Sequence, residues 1–306
     1  MNKSQDNTQE NQKVKKQKKR REDRETRFQL IKRRFMYNKK AVFGLVILII
    51  LVTASIFAPY IAPHNPIDQD MANRLQGPSW EHPMGTDRFG RDVFSRLIYG
   101  SRISLRIGFI SVGIGIIFGC SLGIIAGYYG GKLDSVIMRF MDLLLSLPSL
   151  LLALALVASL GTNIWYLMVA VGIAFIPRFA RLIRGAVLGV IEKEYIESAR
   201  ALGSSDLRII FKHIIPNSIN PVIVQATLYM ASSIIIAAAL SFLGLGVQPP
   251  TPEWGRMIAQ SRQFIRINHF PVTFSGISIV ITVLSLNLVG DGLRDALDPK
   301  TEQHHN

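Results

Sequence analysis

The chain has 306 residues, of which 49% are hydrophobic, and its mean hydropathy is +0.27. Its net charge of +14 is concentrated at one end, since residues 1–40 hold fifteen Lys and Arg against five acidic residues. The basic run ends at Lys39 and Lys40, directly before a long apolar segment that it would orient in a membrane, so no nucleic-acid partner is expected. The single cysteine, Cys120, has no partner for a disulfide within the chain and is expected to pack inside a helix.

Residues 1–40 are predicted to form a basic, disordered tail, because the first thirty or so contain few large apolar groups. Residues 41–62 form the first predicted transmembrane helix, whose uncharged run is long enough to cross a bilayer. The positive-inside rule places Lys39, Lys40 and the N terminus on the cytoplasmic side. The run starts too late and is too long for a cleavable signal peptide.

Residues 63–102 are predicted to form an extracytoplasmic loop that ends in an amphipathic helix on the membrane surface. The apolar residues that support this helix recur at helical spacing: Val93, Phe94, Leu97 and Ile98. His82, Asp87 and Asp92 have side chains that can bind a metal. Gly85 and Gly90 indicate a turn-rich loop instead, and no metal site is predicted.

The second predicted span, Ile103 to Tyr129, begins a core of five transmembrane helices, residues 103–296. Its glycines recur at intervals of four: Gly115, Gly119, Gly123 and Gly127. Such a stripe lets another helix approach backbone to backbone, so these are predicted helix-packing residues. The Gly130-Gly131-Lys132 that follows is similar to part of a Walker A sequence. However, Ala126 stands where that sequence has its first Gly, and Leu133 stands where it has Ser or Thr. No ATP hydrolysis and no catalytic residue are therefore expected in this chain.

The third predicted span, Leu133 to Leu160, carries Arg139 and Asp142 on one helix face, where they are expected to pair. Pro148 is expected to kink this span. The fourth span follows a turn at residues 161–163 and is expected to run to about Val187. Its basic side chains are expected to extend to the cytoplasmic side: Arg178, Arg181 and Arg184.

The fifth and sixth predicted spans, Pro221 to Gly246 and Val272 to Gly290, contain polar residues that should face protein or a water-filled path. The candidates for lining a path are Gln225, Ser232, Ser233 and Asn287, with hydrogen bonds in helix packing as the alternative for each. Residues 297–306 are predicted to be a cytoplasmic tail. The predicted fold is all-α: a polytopic membrane protein of about six transmembrane helices.

A charged segment, Ile191 to Asn217, lies between the fourth and fifth spans. Its eight ionised side chains would cost on the order of 20 kcal/mol to insert, while its apolar residues recover only about 5 kcal/mol. The segment is therefore expected to stay in water on the cytoplasmic side.

Two helical sets of apolar residues occur in this segment: Tyr195, Ile196, Ala199 and Leu202, then Leu207, Ile210, Phe211 and Ile214. The pattern predicts a helix, a turn and a second helix, with one apolar stripe and one charged face. Gly203 can end the first helix in the left-handed conformation, and Ser204 or Ser205 can cap the second. Pro216 is expected to break the pattern. Residues 191–217, called the knob below, must pack against the helix bundle of this chain or against a separate protein.

The sequence ESARALG at Glu197 to Gly203, followed by HIIP at His213 to Pro216, resembles the EAA loop of permease subunits of binding-protein-dependent ABC importers. Ser198 replaces the first of the two alanines of that pattern, and Ile215 replaces its leucine. In that family the loop docks into a groove on a separate ATPase subunit. The resemblance implies a coupling role for this set of residues: Glu194, Glu197, Ala199, Arg200, Gly203, Ser204 and Asp206.

Two further stretches resemble the C-type subunit of oligopeptide, dipeptide and nickel permeases: residues 82–105, HPMGTDRFGRDVFSRLIYGSRISL, and residues 286–299, LNLVGDGLRDALDP. The resemblance implies a subunit of a peptide importer in a bacterial plasma membrane, with both termini cytoplasmic. A nickel importer is the alternative. The implied partners are a second homologous permease subunit, two ATPase subunits and an extracytoplasmic solute-binding protein. ATP and Mg²⁺ would act on the ATPase subunits, and no cofactor is expected on this chain.

Three other classes of function are weaker interpretations. An ion-coupled secondary transporter would be expected to show buried carboxylates, broken helices or an internal repeat. An intramembrane enzyme would need a nucleophile and base, or a metal pair, at matching depth, and the sequence contains no HExxH. A scaffold or receptor anchor would leave the knob unexplained.

Overall fold

The computed structural model of the protein describes residues 27–297. Within this range the regular secondary structure is helical, and an isolated bridge joins Thr86 and Asp92. The helices in chain order are α1 (Arg27–Tyr37), α2 (Lys39–Ile56), α3 (Ala58–Ile61), α4 (Val93–Tyr129), α5 (Gly131–Leu145), α6 (Ser149–Leu160), α7 (Ile164–Ile191), α8 (Glu194–Ala201), α9 (Asp206–Ile209), α10 (Ile215–Ser218), α11 (Asn220–Phe242), α12 (Trp254–Ser261) and α13 (Phe270–Leu297).

Within the described range, five helices are long and apolar enough to cross a membrane: α2, α4, α7, α11 and α13. The pair α5 and α6 forms a sixth candidate span, which is bent by 88° at its break. The predicted all-α polytopic fold is confirmed. The predicted kink at Pro148 is also found, since Pro148 directly precedes α6 and cannot donate a backbone hydrogen bond to continue α5.

The first described helix, α1, lies inside the tail that was expected to be disordered. Phe35 is buried, and Ile31 packs with it against α2 and the C-terminal part of α13. Asn38 caps α2 by accepting a hydrogen bond from the Ala41 amide and also donates to Asp295. The expectation of disorder up to residue 40 is therefore wrong for residues 27–40, because apolar side chains of α1 pack against α13, more than 250 residues later in the chain. Residues 1–26 and the predicted tail after residue 297 lie outside the described range.

Helix α4 is continuous over 37 residues and includes the segment that was expected to form a separate helix on the membrane surface. Asp92 caps its first turn through a hydrogen bond from the Ser95 amide, 2.7 Å long. Val93 and Leu97 are buried against Trp254 and α12, so they do not face lipid. A 37-residue helix is about 55 Å long, more than a hydrocarbon core of about 30 Å, so its first turns extend beyond that core.

The acidic residues of α5 pair with arginines of α7, not with Arg139. Arg184 donates through Nε and Nη2 to the two carboxylate oxygens of Asp134, at 2.5 and 2.6 Å, and Arg181 pairs with Asp142. The expected pair of Arg139 and Asp142 is therefore wrong. Because α5 runs beside α7, the two longer-range pairs bind the broken span to the core helix.

The glycine stripe of α4 faces α7 along its whole length. A Cβ atom built at Gly115 would lie 3.0 Å from Phe175 Cβ, and one at Gly119 would lie 2.5 Å from the carbonyl oxygen of Ile176. Gly123 and Gly127 face Ala180 and Val187 in the same way. The two backbones approach so closely that a methyl group cannot fit between them. This contact forms the centre of the main hydrophobic core.

Gly119→Ala should destabilise the protein by about 1–3 kcal/mol, because the new methyl group meets a backbone oxygen that cannot move independently. Gly113→Ala on the same helix is the matched control, since nothing lies within 4 Å of its Cβ position. It should be neutral or slightly stabilising, because Ala favours helix by up to about 1 kcal/mol over Gly. Thermal unfolding of both variants in mild detergent measures the difference. Equal midpoints would contradict close packing at Gly119.

Candidate functional site

The knob, residues 191–217, begins where α7 ends and stands at the C-terminal end of α4. Its first helix, α8, ends at Gly203, whose φ is +78°. The amide of Gly203 donates to the carbonyl of Arg200, and the amide of Ser204 donates to the carbonyl of Ala199. These two bonds form the turn in which a helix commonly ends at a left-handed glycine. The left-handed conformation predicted for Gly203 is confirmed.

The second half of the knob differs from the single helix that was expected. A short helix, α9, continues into a π turn at Ile210–Ile214 and then into α10. Ser205 stands at the N-cap of α9, but its side chain makes no capping hydrogen bond, so the predicted serine cap is absent there. Pro216 lies in the first turn of α10, where its missing N–H is tolerated, and it does not break the helical path as expected.

Burial divides the apolar residues of the knob into two sets. The inner set is buried and packs on the main core beside Val187 and Val190: Ile196, Ile209, Ile210 and Ile214. The outer set is exposed by 66% or more: Leu202, Leu207 and Phe211. The expectation of one apolar stripe and one charged face for the knob is therefore wrong, because the apolar residues divide into a buried set and an exposed set. Large apolar side chains that stay exposed beside charged residues are typical of a protein-binding surface.

Tyr128, in the last turn of α4, ties the knob to the bundle. Its hydroxyl donates a 2.7 Å hydrogen bond to Asp206, and the Arg200 guanidinium lies 5.3 Å from its ring centroid. The Tyr128 side chain is buried. Tyr128, which the sequence analysis did not identify, thus holds Arg200 and Asp206. Both belong to the residues predicted to couple this chain to an ATPase subunit. No local signal marks this contact, because it joins positions 78 residues apart.

The other predicted coupling residues lie on the same knob. Glu194, Glu197 and Gly203 are exposed, while Ala199 and Ser204 are half-buried. Nothing lies within 4 Å of a Cβ atom built at Gly203. Together with the outer set, these residues form a surface of mixed apolar and charged character that is available to a partner.

The four candidates for lining a path do not form one cluster of free polar groups. Three of them lie on α11 and Asn287 lies on α13. The hydroxyls of Ser232 and Ser233 donate to carbonyls of their own helix, those of Leu228 and Met230, and Ser233 is fully buried. Gln225 and Asn287 are half-buried. Their role in a path stays a prediction.

At the opposite end of the bundle, the loop after α3 is held against α12 by buried charges. Arg91 pairs with Asp87 at 2.6 Å and donates to Gln260 on α12, and Arg96 donates to the carbonyl of Pro66. Glu253 caps α12, and burial raises the pKa of its carboxyl, opposed by hydrogen bonds from two backbone amides.

A cavity of about 260 Å³ opens between this loop and α12, and it is basic. Three arginines line it: Arg88, Arg256 and Arg262. Such a lining can bind an anionic group such as a carboxylate. Sequence reasoning missed it because its residues come from segments about 170 positions apart.

Comparison with known proteins extends these observations. Residues 119–303 match the family described as the binding-protein-dependent transport system inner membrane component, and residues 26–78 match the N-terminal TM domain of oligopeptide transport permease C. The dipeptide transport system permease protein DppC of Alkalihalophilus pseudofirmus is 51% identical over 86% of this chain and 86% of its own length. The glutathione transport system permease protein GsiD of Pectobacterium atrosepticum is 46% identical over 88% of this chain and 89% of its own length.

Solved structures show the same fold at lower identity. The chain resembles the MetNI methionine ABC transporter in its inward-facing conformations with a TM-score of 0.55 and 20% identity, covering 66% of this chain and 97% of that one. An amino acid ABC transporter gives a TM-score of 0.51 at 18% identity, over 66% of this chain and 94% of that one.

The long apolar helices, the anchored knob and the matches over most of the chain agree with one another. The chain is a multi-pass membrane protein that belongs to the family of binding-protein-dependent transport system inner membrane components, the permease subunits of ABC transporters.

Proposed function

We propose that this chain is the C-type permease subunit of an ATP-driven importer of short peptides in a bacterial cell membrane. Relatives at 46–51% identity are named as permeases for dipeptides, di- and tripeptides and glutathione, which favours peptides over nickel. The observation that carries the proposal is the knob, whose outer apolar set is exposed while its inner set is buried in the bundle.

In this proposal the knob is the coupling element. An ATPase subunit binds the outer set and the charged residues around Gly203. The inner set packs against α7, and the hydrogen bond from Tyr128 to Asp206 joins the knob to α4. Displacement of the knob on ATP binding is therefore passed to the two central helices. ATP binding shifts the bundle between its outward-facing and inward-facing arrangements only if it favours one docked arrangement over the other by a few kcal/mol.

The proposed assembly contains a second, homologous permease subunit, two ATPase subunits and an extracytoplasmic binding protein. This chain does not hydrolyse ATP and holds no cofactor for transport, so ATP and Mg²⁺ act on the ATPase subunits. The knob and both termini face the cytoplasm. The basic residues before and within α1 support this orientation, since positive charge favours the cytoplasmic side.

Gly203→Val should abolish uptake of labelled dipeptides in cells that depend on this chain, while leaving membrane insertion intact. A β-branched residue at φ +78° is strained by at least about 1–2 kcal/mol, so the turn between α8 and α9 must change. Gly189→Val is the matched control, because its Cβ position is also open but its backbone is helical. Normal uptake by the Gly203→Val strain would count against a coupling role for the knob.

Tyr128→Phe should loosen the knob without unfolding the bundle. Removing the hydroxyl takes away a hydrogen bond to a carboxylate, which is worth about 1.5–3 kcal/mol. Amide hydrogen exchange at Ile209 and Ile210, whose amides donate to carbonyls of Ser205 and of α9, should therefore be faster by about 10-fold or more. Tyr129→Phe is the control, since Tyr129 is exposed and contacts Tyr128 only edge-on. The same exchange rates in both variants would show that Tyr128 does not anchor the knob.

A further inference from the structure

Three side chains near the start of α4 converge, although they are spread over 28 positions of the sequence. His64 follows α3, His82 lies in a turn of the long loop, and Asp92 caps α4. One ligand atom from each lies within 4.8 Å of the other two. His82 Nδ1 is 3.0 Å from Asp92 Oδ1, and His64 Nδ1 is 4.0 Å from Asp92 Oδ2. The two imidazole rings lie 4.8 Å apart between centroids, at 34° to each other.

The nitrogen of His64 that faces the other two residues lacks a partner. His64 Nδ1 is buried and makes no hydrogen bond among the described residues, and its distance to Asp92 exceeds hydrogen-bond length. The side chain as a whole is 36% exposed, while its Nδ1 is shielded from water. Buried polar atoms normally have a partner, so this nitrogen indicates that the cluster binds something further.

The three residues are positioned by groups outside the cluster. The backbone amide of His64 donates to Ser95 Oγ in the first turn of α4, at 3.1 Å. The backbone amide of His82 donates to Ser79 Oγ, and Asp92 Oδ2 accepts from the Ser95 amide. Such supporting hydrogen bonds are what orients the ligands of a metal ion.

We propose that His64, His82 and Asp92 bind a divalent transition-metal ion, and that Zn²⁺ is the ion their chemistry fits best. Two imidazoles and one carboxylate are ligands that Zn²⁺ uses, whereas Ca²⁺ and Mg²⁺ prefer oxygen alone. In a tetrahedral Zn²⁺ site the ligand atoms lie roughly 3.3 Å apart, so the His64 ring needs to move inward by about 1 Å. The fourth position takes water, which the exposed edge of His64 admits.

Asp87, which the sequence placed beside His82 and Asp92 as a possible ligand, is not available to this site. Its carboxylate is occupied by Arg91 and by the amides of Phe89 and Arg91. His64 takes its place, from a segment that carried no motif. The ion would join the end of the first span to the start of α4, and so fix the loop between them independently of any role of the knob.

The test uses the full chain in mild detergent, purified with a tag that lacks histidine and carrying Ala at His304 and His305. The chain is stripped with a chelator and dialysed against micromolar Zn²⁺, and bound zinc is counted by mass spectrometry. We expect one ion per chain. His64→Ala, His82→Ala and Asp92→Asn should each weaken binding by at least about 10–100-fold. His269→Ala should bind normally, since His269 lies outside the cluster and its Nδ1 lies 3.3 Å from the Thr273 hydroxyl.

Two results would overturn the proposal. One is less than about a tenth of an ion per chain at micromolar Zn²⁺, which would leave only the hydrogen bond between His82 and Asp92. The other is binding that survives all three substitutions or is lost equally in His269→Ala. Should Asp92→Asn fail to fold, His64→Ala still decides the matter. Zn²⁺ should raise the unfolding temperature of the unsubstituted chain and leave that of His64→Ala unchanged, and Co²⁺ should give four-coordinate visible bands only in the former.

Discussion

The close approach of α4 and α7 is the contact on which the rest of this structure depends. Lipid offers no hydrophobic force to press two apolar helices together, so their association relies on van der Waals contact and on hydrogen bonds between helices. The glycine stripe lets the two backbones touch, and Ser111 adds a hydrogen bond to the carbonyl of Met168. This pair is the frame for both ends of the bundle. Its C-terminal ends support the knob, and the N-terminal end of α4 supports the loop that follows the first span.

Charged side chains pair with other elements at both ends of the bundle. Asp134 and Asp142 are paired with Arg184 and Arg181, which neutralises the broken span where it meets α7. At the other end, Arg91 and Arg96 are buried, and their charge is balanced by Asp87 and by backbone and side-chain oxygens. Removing one charged side chain from such a buried set lowers the stability of the protein, because the opposite charge is left buried without a partner. The charges thus hold elements together at both ends of the bundle.

Local signals in the sequence predicted a large part of this architecture. Runs of apolar residues located the spans, the four-residue spacing of glycines located the tight helix contact, and Gly203 and Pro148 marked the turn and the break. Each of these features depends on a residue's own backbone geometry or on its near neighbours. A short stretch of sequence therefore determines each of these features, and each can be predicted from the sequence alone.

Contacts between distant positions could not be predicted in the same way. Arg139 is the nearest arginine to Asp142 in sequence, yet Arg181 is the one that reaches it, because α7 lies alongside. The division of the knob into inner and outer sets depends on which face meets α7 and the end of α4. The hydrogen bond from Tyr128 to Asp206 joins two helices that are 78 positions apart in the sequence, so no local pattern predicts it.

The most direct test of the account is photo-crosslinking from Phe211 in the intact importer. A photoreactive amino acid at Phe211, which is 68% exposed on the knob, should give an adduct with the ATPase subunit that changes in yield when ATP binds. The same amino acid at Ile235, half exposed on α11, should give none with that subunit. Adducts of Phe211 with the binding protein or with lipid alone, or its labelling by a reagent confined to the cell exterior, would contradict the account.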